Sequence, residues 1–119
     1  MAELETSAAI ARAFTEAWTR QDMETAGGYL TDDVVFDGPL GHVEGKDDYV
    51  QSLSGLVRSL GISGVRVLAA FGDETQALLM YELITEKAGP LLCAKLLMLR
   101  DGKIAADRLT FDSYQVRKQ

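Results

Sequence analysis

Thr31–Lys46, TDDVVFDGPLGHVEGK, joins an early half of the chain with helical periodicity to a later half built of strand patterns. Asp32 and Asp33 read as a turn. Val34, Val35 and Phe36 form a brief β-prone run, which Gly38-Pro39 stops because proline offers no N–H to a ladder. Asp37 ends that run, and His42, the only histidine, follows in the loop. A carboxylate at the end of an apolar strand, beside a Gly-Pro break, sits where a small domain can present it to a ligand. Histidine titrates near neutral pH and an aspartate can orient it, so Asp37 and His42 are a candidate proton-shuttling pair. The path of the intervening loop leaves open the alternative that both are solvated rim residues.

Upstream, Ile10, Ala13, Phe14, Ala17 and Trp18 recur at helical spacing, predicting an amphipathic helix from Ser7 to Gln21. Asp22 can cap a short second helix with Ala26, Tyr29 and Leu30 on its inner face, weakened by Gly27-Gly28. Downstream, Tyr49, Val50, Leu53, Leu56, Val57 and Leu60 predict a third helix over 46–60, ended by Gly61. The remainder divides at Gly72-Asp73, Ala88-Gly89-Pro90 and Asp101-Gly102 into strands over 62–71, 75–86, 91–100 and 103–116, an antiparallel meander. Arg117 to Gln119 read as a frayed end.

With 119 residues the chain is expected to form one domain over 1–119, burying roughly two thirds of its unfolded surface. Twelve Lys and Arg are scattered among eighteen Asp and Glu, giving a net charge of −6 and no basic run. Nucleic acid and acidic membrane surfaces are therefore not expected partners. The N-terminus lacks a basic region followed by a long apolar one, and no apolar run reaches membrane-spanning length, so a cytoplasmic protein is expected. The single Cys93 lies in an apolar strand pattern and reads as a small buried hydrophobe. No phosphate-binding loop, nucleophile elbow, paired-histidine metal spacing or dinucleotide fingerprint occurs, and no cofactor is called for. In LLCAKLLML, Leu91–Leu99, both alternating faces are apolar except at Lys95. One face should meet the helices; the other, with Leu92, Ala94, Leu96 and Met98, is expected to be covered by a second copy in a homodimer.

The order of two helices, short strand, Gly-containing loop, third helix and four-strand meander, carried by AFTEAWTRQDMETAGGYLTDDVVFDGP, GHVEGKDDYVQSL and RDGKIAADRLTFDSYQV, resembles the nuclear transport factor 2-like superfamily, in its SnoaL-like and ketosteroid-isomerase-like branch. The resemblance covers nearly the whole chain. It implies an α+β fold, cystatin-like, in which a cone-shaped curved antiparallel sheet wraps three N-terminal helices. It also implies a hydrophobic pocket, while leaving function open among isomerases, epoxide hydrolases, polyketide cyclases and non-catalytic domains.

Family site positions carry over poorly. The steroid isomerases' oxyanion-donating tyrosine matches Phe14, their general-base aspartate matches Gly38, and their protonated aspartate matches Lys95. With all three changed, steroid isomerisation is not expected. The epoxide hydrolase and polyketide cyclase acid matches Leu109, and the epoxide hydrolase arginine finds no counterpart in Tyr81-Glu82-Leu83-Ile84. Asp107 remains, two residues before Leu109 and so on the same strand face. In the family, alternate residues of the last strand face the cavity, which implies Asp107, Leu109 and Phe111 inside and Arg108, Thr110 and Asp112 outside.

Burying a carboxylate among apolar neighbours is costly unless it is paired, and Lys95 on the adjacent strand is the natural partner. Two readings stay open: a structural pair, or a base and anion or carbonyl anchor in the pocket. Candidate catalytic residues are therefore Asp107, Lys95, Asp37 and His42. Expected pocket residues are Phe14, Trp18, Tyr29, Phe36, Tyr49, Glu82, Leu97, Leu109 and Phe111, with Phe71 as a further wall or core aromatic. Glu82 reaches Lys95 under one register of the Ala88-Gly89 hairpin; Tyr81 pairs with it under another. The function expected is a small, largely apolar ligand bound without a cofactor. Isomerase, cyclase, hydratase or lyase chemistry is one continuation of that, and a non-catalytic binding or dimerisation module the other.

Overall fold

The structure is a computed structural model and describes residues 6–114. The expected frayed end and the last two residues of the predicted closing strand lie outside the described residues. Three helices precede most of the sheet: α1 Ser7–Thr19, α2 Met23–Gly28 and α3 Lys46–Leu60. Six strands, β1 Leu30–Gly38, β2 Gly41–Glu44, β3 Ile62–Gly72, β4 Gln76–Thr85, β5 Pro90–Arg100 and β6 Lys103–Phe111, form one curved, unclosed sheet in the order β2-β1-β6-β5-β4-β3. β3 to β6 are the antiparallel meander; β1 joins it by running parallel to β6. No described helix is long and apolar enough to cross a membrane.

α1 starts where the Thr6 side chain accepts from the Ala9 N–H at 3.1 Å, an N-cap that satisfies one orphan donor. It ends two residues before the expected Gln21, because Gln21 turns left-handed (φ 71°). α3 ends as expected at Gly61, left-handed at φ 66°. The helices pack on the sheet's inner face, α1 against β3 and β4 and α3 against β1. The core therefore lies between them, with Phe14, Trp18, Tyr49, Leu79, Tyr81, Leu83 and Leu97 all buried.

The opening stretch departs most from expectation. Asp32 and Asp33 do not turn; they lie within β1, which is nine residues long rather than a three-residue run. Their low intrinsic β preference is overridden by pairing to β6, with a register shift between Leu30 and Val35, and by Arg100 Nη2 donating to Asp33 at 2.6 Å. The expected loop instead folds back as β2, pairing Asp37 with His42 and Phe36 with Val43. At the other end β6 stops at Phe111, and Asp112 accepts from the Tyr114 N–H at 3.0 Å in the turn that follows.

Neither expected register of the β4–β5 hairpin occurs. Leu79 pairs with Lys95, Tyr81 with Cys93 and Glu82 with Leu92. The loop is longer because Thr85 Oγ1 accepts from the Ala88 N–H and donates to the Gly89 carbonyl, while Glu86 and Lys87 donate their N–H groups to the Gly61 and Leu60 carbonyls at the end of α3. The loop thus caps a helix as well as turning a strand.

At the far end of α1, Ser7 Oγ lies 2.5 Å from the Asp73 carbonyl and 2.7 Å from that of Gln76, clamping the helix to the β3–β4 turn. A Cβ on Gly72 would stand 2.4 Å from that hydroxyl and 2.6 Å from the Gln76 carbonyl oxygen. Gly72→Ala is therefore expected to destabilise the protein by about 1–3 kcal/mol in denaturant unfolding, as overpacking of a close contact does.

Candidate functional site

Alternation along β4, β5 and β6 sends Leu79, Tyr81 and Leu83, then Leu91, Cys93, Lys95 and Leu97, then Asp107, Leu109 and Phe111, toward the helices. Lys95 pairs with Leu109 and Leu97 with Asp107, so Lys95 and Asp107 are diagonal neighbours on one face. Lys95 Nζ stands 3.4 Å from Asp107 Oδ2. The Asp107 residue is 0% exposed and Lys95 4%. From α3, the Tyr49 hydroxyl donates to the same Oδ2 at 2.5 Å. Lys95 Nζ also lies 5.0 Å from the Phe14 ring centroid and 5.4 Å from that of Tyr81, within cation–π reach of both. Burial first, then the Asp107 charge, hold the Tyr49 phenol well above its ordinary pKa. Burial likewise pushes the Cys93 thiol up to about 11, so it is a structural thiol rather than a nucleophile.

Above this cluster lies a cavity of about 260 Å³. Its wall comes from Trp18, Phe36, the β1–β2 turn at 38–41, Val43, the α3 residues Tyr49, Ser52, Leu53, Leu56, Ser59 and Leu60, and the sheet residues Tyr81, Leu83, Leu91, Lys95, Leu109 and Phe111. Lys95 is the only Lys, Arg, His, Asp or Glu among them. Exposed Pro39, Leu40 and Ser59 place the mouth between the β1–β2 turn and the end of α3.

Of the expected pocket residues, Trp18, Phe36, Tyr49, Leu109 and Phe111 line the cavity. Phe14 and Leu97 do not: both are fully buried, Phe14 with its ring tilted 6.0 Å from that of Tyr49 and Leu97 beside Asp107 in the ladder. Tyr29, at the C-cap of α2, packs on the core away from the wall. Glu82 lies on the opposite sheet face, 3.5 Å from Arg66, because its odd-even position on β4 differs from that of Tyr81. Phe71 is neither wall nor core; it is 71% exposed on that same outer face, opposite Leu78. Asp107 backs the cavity without forming part of its wall.

Asp37 and His42 come together, but outside the cavity. Phe36, Gly38 and Val43 point in, so their neighbours Asp37, His42 and Glu44 point out. His42 Nδ1 lies 2.6 Å from Asp37 Oδ1 and Nε2 2.9 Å from Glu44 Oε2; the His42 and Asp37 side chains are half-exposed and that of Glu44 is exposed. Glu44 and then Asp37 raise the imidazole pKa above its ordinary value. This is a surface ion-pair relay across the hairpin that frames the cavity mouth. Among the described residues no cluster of three or more His, Cys, Asp and Glu side chains could hold a metal ion.

Two features escaped the sequence reading. Tyr49 was legible as an inward aromatic of α3, but its hydroxyl as a partner of Asp107 was not; an inward tyrosine at a helix start facing a buried acid was the available signal. Glu44 as a second partner for His42 required β2, whose Gly-rich segment has little strand character.

Truncating either charge of a buried pair leaves the other uncompensated, so Lys95→Met is expected to cost about 3–5 kcal/mol in denaturant unfolding. Tyr49→Phe, which removes one donor from Asp107, is expected to cost about 1–3 kcal/mol. For His42 the sign follows from a folded pKa raised above the unfolded value of about 6.5. The hairpin's ion-pair stabilisation is complete below that value and is lost as pH rises through the folded pKa. An NMR titration should find the His42 midpoint above that of a free imidazole, with Glu44→Gln lowering it more than Asp37→Asn does.

Residues 11–106 match the SnoaL-like domain family. Among solved structures, a protein of Kribbella flavida DSM 17836 is 33% identical over 95% of this chain and 92% of its own, with a TM-score of 0.87. An NTF2-like protein of Cytophaga hutchinsonii is 20% identical over 98% and 99% of the two chains, with a TM-score of 0.81. An LEH-like epoxide hydrolase of M. tuberculosis is 22% identical over 93% and 86%, with a TM-score of 0.76; at such identities the likeness is one of fold. No curated protein matches the chain by sequence. The match across the helices and most of the sheet, together with the 33% identical structure, establishes that the chain belongs to the SnoaL-like domain family, within the NTF2-like fold.

Proposed function

We propose that the protein binds a small, largely apolar molecule in this cavity, with a hydrogen-bond acceptor of the ligand seated on the Lys95 ammonium. One observation carries the reading: an apolar wall surrounds a single buried cation. Such a pocket takes up apolar surface and fixes orientation through one polar contact. Asp107 and the two aromatic rings hold the ammonium in place, and its remaining N–H groups are the polar contact offered to a ligand.

A second reading, turnover of the bound ligand by isomerase, cyclase, hydratase or lyase chemistry, draws on the Tyr49–Asp107 hydrogen bond directly behind the cavity. It is the weaker of the two. The described wall carries no carboxylate or imidazole, and Tyr49, with its pKa raised, stays protonated at neutral pH. Under this reading Asp107→Asn abolishes turnover without altering ligand affinity.

We also propose that the outer sheet face pairs with a second copy. Phe71, Leu78, Met80, Leu92 and Met98 are exposed there beside the Arg66–Glu82 pair. A two-fold contact needs only a self-complementary patch, and an apolar patch bearing both charge signs is one.

Filling the cavity tests the binding reading. Leu109→Trp is expected to weaken binding of a monocyclic ketone at least tenfold in calorimetry while the protein still melts cooperatively; undiminished binding would sink the proposal. For the pairing, sedimentation should show a dimer that becomes a monomer in the Leu78→Asp/Leu92→Asp double variant. A monomeric parent protein at micromolar concentration would refute it.

A further inference from the structure

Counting charge around the cavity narrows what the ligand can be. Lys95 and Asp107, one basic and one acidic group in contact, sum to zero. No other acidic or basic residue lines the wall among the described residues. Tyr49, Tyr81 and Cys93, the nearby weak acids, all stay protonated at neutral pH. The buried site is therefore neutral before a ligand arrives. An entering carboxylate would find an ammonium already compensated by Asp107 and would add one unbalanced buried charge, which is expensive. A neutral acceptor takes a spare Lys95 N–H without that cost. The chain's net charge of −6 also disfavours an approaching anion.

Resting on the ligand-binding reading, we infer that the natural ligand class is a neutral hydrogen-bond acceptor, such as a ketone, aldehyde, ester or epoxide, and that Asp107 sets this preference from behind the cavity wall. Size follows from volume. An engineered cavity of about 150 Å³ takes benzene, so the present 260 Å³ accommodates roughly ten non-hydrogen atoms. Asp107 is here a specificity-determining residue: it touches Lys95 and Tyr49, not the ligand.

The test compares two ligands of matched size and shape, benzylacetone and hydrocinnamate, which present a methyl ketone and a carboxylate on the same phenylethyl group. In calorimetry at pH 7 the parent protein is expected to bind the ketone at least tenfold more tightly. Equal or tighter binding of the carboxylate overturns the inference while leaving the ligand-binding reading intact. Binding of neither overturns both. Asp107→Asn removes the compensating charge at nearly constant shape, and is expected to move the ratio at least tenfold toward the carboxylate; an unchanged ratio overturns the role of Asp107. Should that variant fail to fold, hydrocinnamamide, a neutral isostere of the carboxylate, serves instead with the parent protein. It is expected to bind at least tenfold more tightly than hydrocinnamate; binding no tighter than the carboxylate overturns the charge argument.

Discussion

A carboxylate with no exposed surface has to be compensated from within, and the compensation of Asp107 ties together most of the molecule. Its two donors come from different places: Lys95 from the neighbouring strand β5, and Tyr49 from α3. The first is available only if β5 and β6 pair so that the two residues are diagonal on the inner face. The second requires α3 to pack on β1 so that Tyr49, in its first turn, reaches Asp107 on β6, a placement that the stacking of Phe36 on Tyr49, centroids 4.9 Å apart, helps to fix. Sheet register and helix placement are thus coupled through one buried carboxylate, whose Oδ2 takes both donors while Oδ1 has no hydrogen-bond partner among the described residues.

The same cluster occupies positions at which the resemblance to steroid isomerases implied other groups. Where a tyrosine hydroxyl is expected, Phe14 offers a ring face that Lys95 approaches. Where a base is expected, Gly38 leaves no side chain, and an added Cβ there would meet the Phe36 ring at 2.8 Å. Asp37 cannot substitute, since one step along the strand carries it to the other face. What remains is a cation held by aromatic faces and a carboxylate.

Legibility from the sequence varied with the kind of signal. α3 and its Gly61 stop were read to the residue, because amphipathic period and a left-handed C-terminal glycine are local properties. The strands of the meander were read nearly as well from their turns, Asp101-Gly102 above all, whose two left-handed residues make a tight hairpin. β1 was read only at Val34–Phe36, and β2 not at all. The rest of these two strands is largely polar or glycine, and it is extended because β6 offers β1 a parallel edge and β2 closes against β1.

The sequence by itself determined the family, the meander, the inward side of β5 and β6, and the pairing of Asp107 with Lys95 as neighbours. The meander follows from turn chemistry and alternation, which are short-range; the family and the inward side of β6 follow from the resemblance that the chain's motifs carry. Only the tertiary structure decided that the hairpin register puts Glu82 on the outer face, that Asp37 and His42 form a surface relay with Glu44, and that Tyr49 is a second donor to Asp107. The physical reason is that each of these depends on a loop length or a helix position, set by contacts between residues far apart in the chain: the Glu86 and Lys87 N–H groups that cap α3, and the parallel edge that draws out β1.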